Sequence, residues 1–230
     1  AAFEETWRGF PCSYIAAAGG ESLRFGSVSL PLDELRDAHS SVPENNGEET
    51  DMCGVFGAYS PKGNAVLEEV YLGLYALQHR GQESTGIAWL GENGRIASIR
   101  GNGLVHAALD QGELALLPAS CAIGHVRYST SGGSDLGNAQ PLISTTSRGS
   151  VAVAHNGNLT NAEGLKTLLE SRGAIFIDAD TEVILHLVAH QPHKRPIDAL
   201  VDSLTRLVGA YSLTLIIDGR LVAVRDPWGF

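Results

Sequence analysis

Met52-Cys53-Gly54-Val55-Phe56-Gly57-Ala58-Tyr59 is a short apolar run that ends at the turn-forming Pro61-Lys62-Gly63-Asn64. An apolar run of this length bounded by turn residues predicts a buried strand. Ahead of it lies Glu44-Asn45-Asn46-Gly47-Glu48-Glu49-Thr50-Asp51, a polar and acidic stretch of linker composition. A boundary is therefore expected here, with residues 44–52 as an acidic linker or propeptide and residues 53–230 as the compact domain. Downstream, Val66, Leu67, Val70, Tyr71, Leu74 and Leu77 recur every three or four residues, which predicts a helix over 65–78 with one face on the core. Asn93-Gly94 between 85–90 and 95–100 predicts a hairpin, and Asp218-Gly219 between 211–217 and 221–225 predicts a second. Further strands are expected at 122–127 and 151–154, and helices near 161–171, 181–190 and 197–207. Antiparallel hairpins with grouped helices give an α+β fold of packed layers rather than an alternating parallel one.

The 230 residues suffice for one large domain, and 43% hydrophobic with 18% charged residues is ordinary globular composition. A net charge of −10 argues against nucleic acid or an anionic membrane as the main partner. No apolar run approaches the roughly 20 residues of a membrane-spanning helix. The opening Ala1-Ala2-Phe3-Glu4-Glu5-Thr6-Trp7 lacks the basic and apolar regions of a secretory signal. Cys12, Cys53 and Cys121 form no Cys-x-x-Cys pair and have no His at zinc-ligand spacing, so no metal site is expected and a reducing cytoplasm suits the chain.

Cys53 next to Gly54 at a strand start is on its own as compatible with a buried structural thiol as with a nucleophile. Cut before Cys53, the residue would gain an α-amine whose reference pKa, roughly 7.7 to 8.0, suits it to accept the thiol proton. Three polar segments look overbuilt for packing. Leu77-Gln78-His79-Arg80-Gly81-Gln82-Glu83-Ser84 puts Arg80 at a junction between elements, where it could also simply pair with Glu83. Gly124-His125-Val126-Arg127-Tyr128-Ser129-Thr130 leads a strand into a loop; Arg127 there could hold a carboxylate through two hydrogen bonds, and His125 could be an interior histidine. His155-Asn156-Gly157-Asn158-Leu159 offers an amide side chain and a backbone N–H to an oxyanion, or an ordinary tight turn. Asp180-Thr181-Glu182 stands at a helix start, where Asp is also a routine N-cap. Together they supply a nucleophile, an oxyanion hole, a carboxylate clamp and an amine acceptor, a set that fits an α-amino acid attacked at its side-chain acyl group.

Cys53-Gly54-Val55-Phe56-Gly57, the segment Leu77 to Ser84, His125 to Thr130, His155 to Leu159 and Asp180-Thr181-Glu182 stand in the order seen in the glutamine phosphoribosylpyrophosphate amidotransferases (amidophosphoribosyltransferases), and the chain resembles that family from Cys53 to Asp226. Glucosamine-6-phosphate synthases, a related group, would read Tyr-Arg-Gly-Tyr-Asp-Ser-Ala-Gly where this chain has His79 to Gly86. The resemblance implies a four-layer αββα sandwich of the N-terminal-nucleophile hydrolase type, two antiparallel sheets between helix layers. It implies that Cys53 attacks glutamine, that Asn156 and Gly157 stabilise the oxyanion, that Arg127 binds the α-carboxylate and Asp180 the α-amine, and that Arg80, Gly81 and Thr130 shape the pocket. Ammonia would pass to a phosphoribosyltransferase domain beyond Phe230, which would also carry Mg²⁺ and, where present, an iron–sulfur cluster, with no cofactor in this chain. A cytoplasmic homo-oligomer in the first step of purine biosynthesis is the expectation. The alternatives left open are the glutaminase domain of an amino-sugar or asparagine synthase, and a non-catalytic glutamine-binding domain. Residues 1–43, through Gly19 to Phe25 and Leu30 to His39, resemble the tail of phosphoribosylformylglycinamidine synthase, which makes this segment a fused fragment or a leader.

Overall fold

The computed structural model describes residues 22–25, 28–31, 53–60, 65–128, 136–177, 180–191 and 195–229. The expected linker over 44–52 and the turn at Pro61 to Asn64 lie outside these. Of residues 1–43, the described part is a small antiparallel hairpin of β1 (Ser22–Phe25) and β2 (Val28–Pro31), which the sequence reading did not anticipate.

Two four-stranded sheets carry the domain. The first is made of β3 (Gly54–Tyr59), β4 (Ser84–Leu90), β5 (Ile96–Asn102) and β6 (Cys121–Arg127), in the order β3-β6-β4-β5. The second is made of β7 (Leu142–Thr146), β8 (Gly149–Leu159), β9 (Gly209–Ile217) and β10 (Arg220–Arg225), in the order β10-β9-β8-β7. All neighbouring strands are antiparallel, and both expected hairpins form, β4 with β5 and β9 with β10. Helices α1 (Val66–Leu77), α2 (Val105–Ala108) and α3 (Gln111–Ala115) accompany the first sheet; α4 (Ala162–Glu170), α5 (Asp180–His190) and α6 (Pro196–Leu204) accompany the second.

Side-chain alternation along the strands sets the layer order. Phe56, Ile87 and Ala122 pack with Val70, Leu74 and Leu77 of α1, whereas their neighbours Val55, Ala88 and Ile123 turn the other way and meet Ala152, Ala154 and Ile216 of the second sheet. Val153, Leu215 and Ile217 face Ile184, Leu187 and Leu200 on α5 and α6. The result is helix, sheet, sheet, helix, the αββα sandwich. Both faces of each sheet are covered, so the middles of the central strands are buried, and buried side chains such as Leu74 on α1, Ile123 and Leu215 each contribute roughly 1.5–3 kcal/mol.

Local chemistry fixes the helix ends. Asp110 caps α3 by accepting the Glu113 N–H at 2.9 Å, and Pro196 opens α6 where a missing N–H costs nothing. The far end of α5 is held by Arg148, in the β7–β8 hairpin: Nη1 donates to the Gln191 carbonyl at 2.6 Å, and Nη2 to those of Ala189 at 2.6 Å and Val188 at 3.2 Å. These are C-terminal carbonyls without intrahelical partners, and a guanidinium also complements the dipole there. Since α5 begins at Asp180, this clamp fixes where that carboxylate stands.

Between the sheets lies one polar tie. His125 on β6 is fully buried, and its Nε2–H donates to the His155 carbonyl of β8 at 3.1 Å. Burial, more than the opposing hydrogen bond or the His155 and Arg127 charges, lowers its pKa to about 3, so the ring is neutral with its proton on Nε2. This is the interior histidine that the sequence left as one alternative.

Two outcomes follow from these contacts. Arg148→Ala should cost about 2 kcal/mol, several degrees in Tm, read by thermal unfolding. His125 enters the fold neutral while the unfolded chain protonates near pH 6.5, so stability should be full above that value and fall toward pH 3 by about 1 kcal/mol per unit from this group. Urea titrations across pH should show that slope flattened in His125→Gln, whose amide can still donate to the His155 carbonyl.

Candidate active site

Cys53 directly precedes β3, an edge strand of its sheet. Gly54 pairs with Val126, so the next step out sets Cys53 beside Arg127 at the end of β6. The Cys53 thiol donates to the Tyr128 carbonyl at 3.7 Å, and the Arg80 Nε–H donates to the Cys53 carbonyl at 3.2 Å. Arg80 ends a single 3₁₀ turn, Gln78–Arg80, at the junction between α1 and β4. The expectation that it would pair with Glu83 is not what the structure shows: the Glu83 carboxylate accepts from Arg127 Nη1 at 3.0 Å. Gly81 lies flat on the Arg127 backbone, where a Cβ would stand 2.6 Å from its carbonyl carbon, so only glycine fits.

The second sheet brings the remaining groups. Ala152 and Ala154 face the inter-sheet layer, so Asn156, two residues further on β8, presents its amide to the same layer that Val55 and, before it, Cys53 face from the other side. The strand does not turn at Asn156-Gly157, as the tight-turn alternative had it; β8 runs to Leu159 and pairs Gly157 with Tyr211. Gly157 has φ +147°, and a Cβ there would come within 2.1 Å of the Ala210 carbonyl oxygen, so the position requires glycine. Tyr211 exchanges its backbone bonds with Asp226, giving its N–H to the carboxylate at 3.0 Å and accepting the Asp226 N–H at 2.9 Å. In an antiparallel ladder that leaves Gly157 pointing the other way, toward the edge past the end of β7, with its N–H unspent on β9. Gly157 is exposed there.

Asp180 opens α5 within reach of His155: Nδ1 of the imidazole is 3.7 Å from Asp180 Oδ1. Thr181 Oγ1 donates to the same oxygen at 3.3 Å and accepts from Gln140 Nε2 at 3.1 Å and from His155 Nδ1 at 3.2 Å. Gln140 Oε1 in turn accepts the His155 N–H at 2.7 Å. This network of buried Gln140, His155 and Thr181 was missed by sequence reasoning, because Gln140 and Thr181 belong to no charged or nucleophilic cluster. Burial pushes the Asp180 pKa up, but hydrogen bonds from His155 and Thr181 with the His155 charge outweigh it and hold the carboxyl below its ordinary value.

These pieces meet electrostatically at the thiol. Burial raises the Cys53 pKa; the Tyr128 contact, the Arg127 cation and its own backbone N–H pull it down, and the Asp180 anion pushes it up. A cation and an anion thus both lie close enough to Cys53 to shift it, and its own nitrogen faces the sulfur. Thr130, the remaining expected site residue, lies outside the described residues. Hollows of about 360 Å³ beside Ser98, Leu142 and Glu182 and about 520 Å³ beside Tyr71, His106 and Asp110 lie among the described residues; the candidate site is marked instead by a thiol with charged groups of both signs about it. Among the described residues no group of His, Cys, Asp or Glu is placed to hold a metal ion, and no helix is long and apolar enough to cross a membrane.

Residues 125–230 match the family described as a glutamine amidotransferase domain. Amidophosphoribosyltransferase 3, chloroplastic, of Arabidopsis thaliana is 49% identical over 179 residues, covering 77% of this chain and 33% of the relative. The solved glutamine phosphoribosylpyrophosphate amidotransferase from B. subtilis, complexed with ADP and GMP, superposes with a TM-score of 0.66 at 37% identity, over 77% of this chain and 37% of that one. A solved structure described as the allosteric regulatory enzyme of purine biosynthesis gives a TM-score of 0.67 at 38% identity, over 76% of this chain and 37% of that one. The chain spans about a third of the length of these relatives. Residues 125–230 thus match a glutamine amidotransferase domain, and over about three quarters of its length the chain is similar to amidophosphoribosyltransferases.

Proposed function

We propose that this domain hydrolyses glutamine to glutamate and ammonia through Cys53, and that the ammonia is passed to a phosphoribosyltransferase domain that makes phosphoribosylamine from phosphoribosylpyrophosphate in purine biosynthesis. The observation that carries the reading is the surrounding of one thiol by an Arg127 cation, an Asp180 anion and its own residue's nitrogen. The first two match in sign the carboxylate and ammonium of an α-amino acid, whose side-chain amide would then meet the thiol.

A thiol whose pKa burial raises is protonated at neutral pH, so the attack needs a base. Cleavage after Met52 turns the nitrogen that already faces the sulfur into an α-amine, which takes the thiol proton as sulfur bonds to the amide carbon. Asn156 Nδ2–H and the Gly157 N–H receive the oxyanion. The C–N bond then breaks, the α-ammonium returns its proton to the leaving ammonia, and water hydrolyses the thioester to glutamate and free thiol. Arg80, holding the Cys53 carbonyl, and Gly81, under Arg127, fix the floor of the pocket, and Thr130 completes it. Mg²⁺ and any iron–sulfur cluster belong to the phosphoribosyltransferase portion, the assembly is a homo-oligomer without nucleic-acid or membrane partners, and the absence of a paired-cysteine pattern supports a reducing cytoplasm.

The test measures glutamate release by two forms of the chain, one starting at Ala1 and one with Cys53 N-terminal, with intact mass confirming each. Turnover is expected from the second form and abolished by Cys53→Ala; undiminished turnover in that variant defeats the reading, and glutamine binding without turnover in both forms marks a binding domain instead. Two substitutions separate the roles. Asn156→Ala should lower kcat about a hundredfold with little change in KM, the loss of one oxyanion donor. Asp180→Asn should chiefly raise KM, since it removes a contact made equally in ground and transition states.

A further inference from the structure

We infer that Glu83 is a positioning residue, which holds the Arg127 guanidinium in register to receive the substrate α-carboxylate. The inference rests on the reading that Arg127 takes that carboxylate. Residues 83 and 127 are joined twice: the Glu83 N–H donates to the Arg127 carbonyl at 3.0 Å, and the Glu83 carboxylate takes Arg127 Nη1 at 3.0 Å. The two side chains are similarly sheltered, 20% exposed for Arg127 and 19% for Glu83. Backbone contact from Gly81 beneath Arg127 and the ladder pair of Ser84 with Arg127 anchor the main chain independently of the carboxylate.

Because the main chain is secured by those other contacts, the ion pair's separate effect is on the guanidinium. A long Arg side chain loses rotamer freedom when fixed, and the ion pair with Glu83 fixes it before substrate arrives. It engages Nη1, leaving the other donors of the planar fork for a carboxylate. Glu83 Oε2 is buried without a protein partner, which is what a carboxylate turned to serve one neighbour leaves behind. The sequence left Arg80, its near neighbour in the chain, as one alternative partner for Glu83; the observed partner is 44 residues away.

The test is calorimetric binding to the full chain carrying Cys53→Ala, which reads affinity whether or not the chain turns substrate over. Glutamine is compared with glutaminamide, whose α-carboxylate is replaced by a carboxamide. Glu83→Gln should raise the Kd for glutamine about tenfold, as expected for loosening one charge-assisted hydrogen bond, and leave that for glutaminamide unchanged. Glu83→Asp, which keeps the charge on a shorter arm, should show the same selectivity and serves if Glu83→Gln does not fold. An unchanged glutamine affinity, or an equal loss on both ligands, overturns the role. Glutamine binding without turnover by the otherwise unaltered form with Cys53 N-terminal would defeat the hydrolase reading alone, and no glutamine binding with Glu83 intact would defeat both.

Discussion

Contact between the inner faces of the two sheets is the constraint on which the rest depends. Its side chains are few and mostly small or branched: Val55, Ala88, Cys121 and Ile123 from the first sheet, and Ala152, Ala154 and Ile216 from the second. Paired alanines let the sheets approach closely, and close approach is what lets the end of β3 face the end of β8. Cys53 belongs to one sheet and Asn156 to the other, so neither sheet alone contains a site. Each helix layer then needs only to cover an outer face, which explains why α1 and the α5–α6 pair are the well-buried helices while α4 buries chiefly Leu169.

A buried layer of this kind tolerates polar groups best where they are hydrogen-bonded; His125 and His155 each use one ring nitrogen in this way, and Nδ1 of the first and Nε2 of the second have no partner among the described residues. His125 spends its single proton on the His155 carbonyl, His155 gives its N–H to Gln140, and Gln140 and Thr181 lead to Asp180. The chain of bonds joins β6, β8 and the start of α5, so Asp180 is placed relative to Cys53 by a hydrogen-bonded path rather than by packing alone. At its far end Arg148 grips the last carbonyls of the same helix. Helix α5 is fixed at both termini, and its first residue carries the anion.

The sequence was legible where local chemistry decides. Helical spacing located α1, and Asn93-Gly94 and Asp218-Gly219 located their hairpins, because turn geometry depends on nearby residues. It was less legible where burial on both faces erases alternation. Val151 to Ala154 read as a short strand, yet β8 runs from Gly149 to Leu159, with polar Asn156 and Asn158 on its solvent end; β7, whose Ser144, Thr145 and Thr146 weaken its apolar signal, went unseen. Helices α2 and α3 are too short to show a period. Cys53, Asn156, Gly157, Arg127 and Asp180 were singled out through motif order, but the pairings of Glu83, Gln140 and Arg148 were not, since their partners lie tens of residues away and only the fold brings them together.

In the proposed reading, selectivity for a zwitterion comes from opposing charges about the thiol. Burial is the largest influence on the Cys53 pKa and raises it, while Arg127 and Asp180 act on it in opposite directions. A ligand carrying one charge would satisfy one of them and leave the other without its counterion; a zwitterion satisfies both and leaves the balance at the sulfur nearly unchanged. The thiol can therefore stay protonated and unreactive until a base is supplied, and in this arrangement the nearest candidate is the nitrogen of Cys53 itself. Cleavage before that residue changes a peptide nitrogen with no basicity into an amine beside the sulfur, which couples reactivity to a processing event without moving any other part of the site.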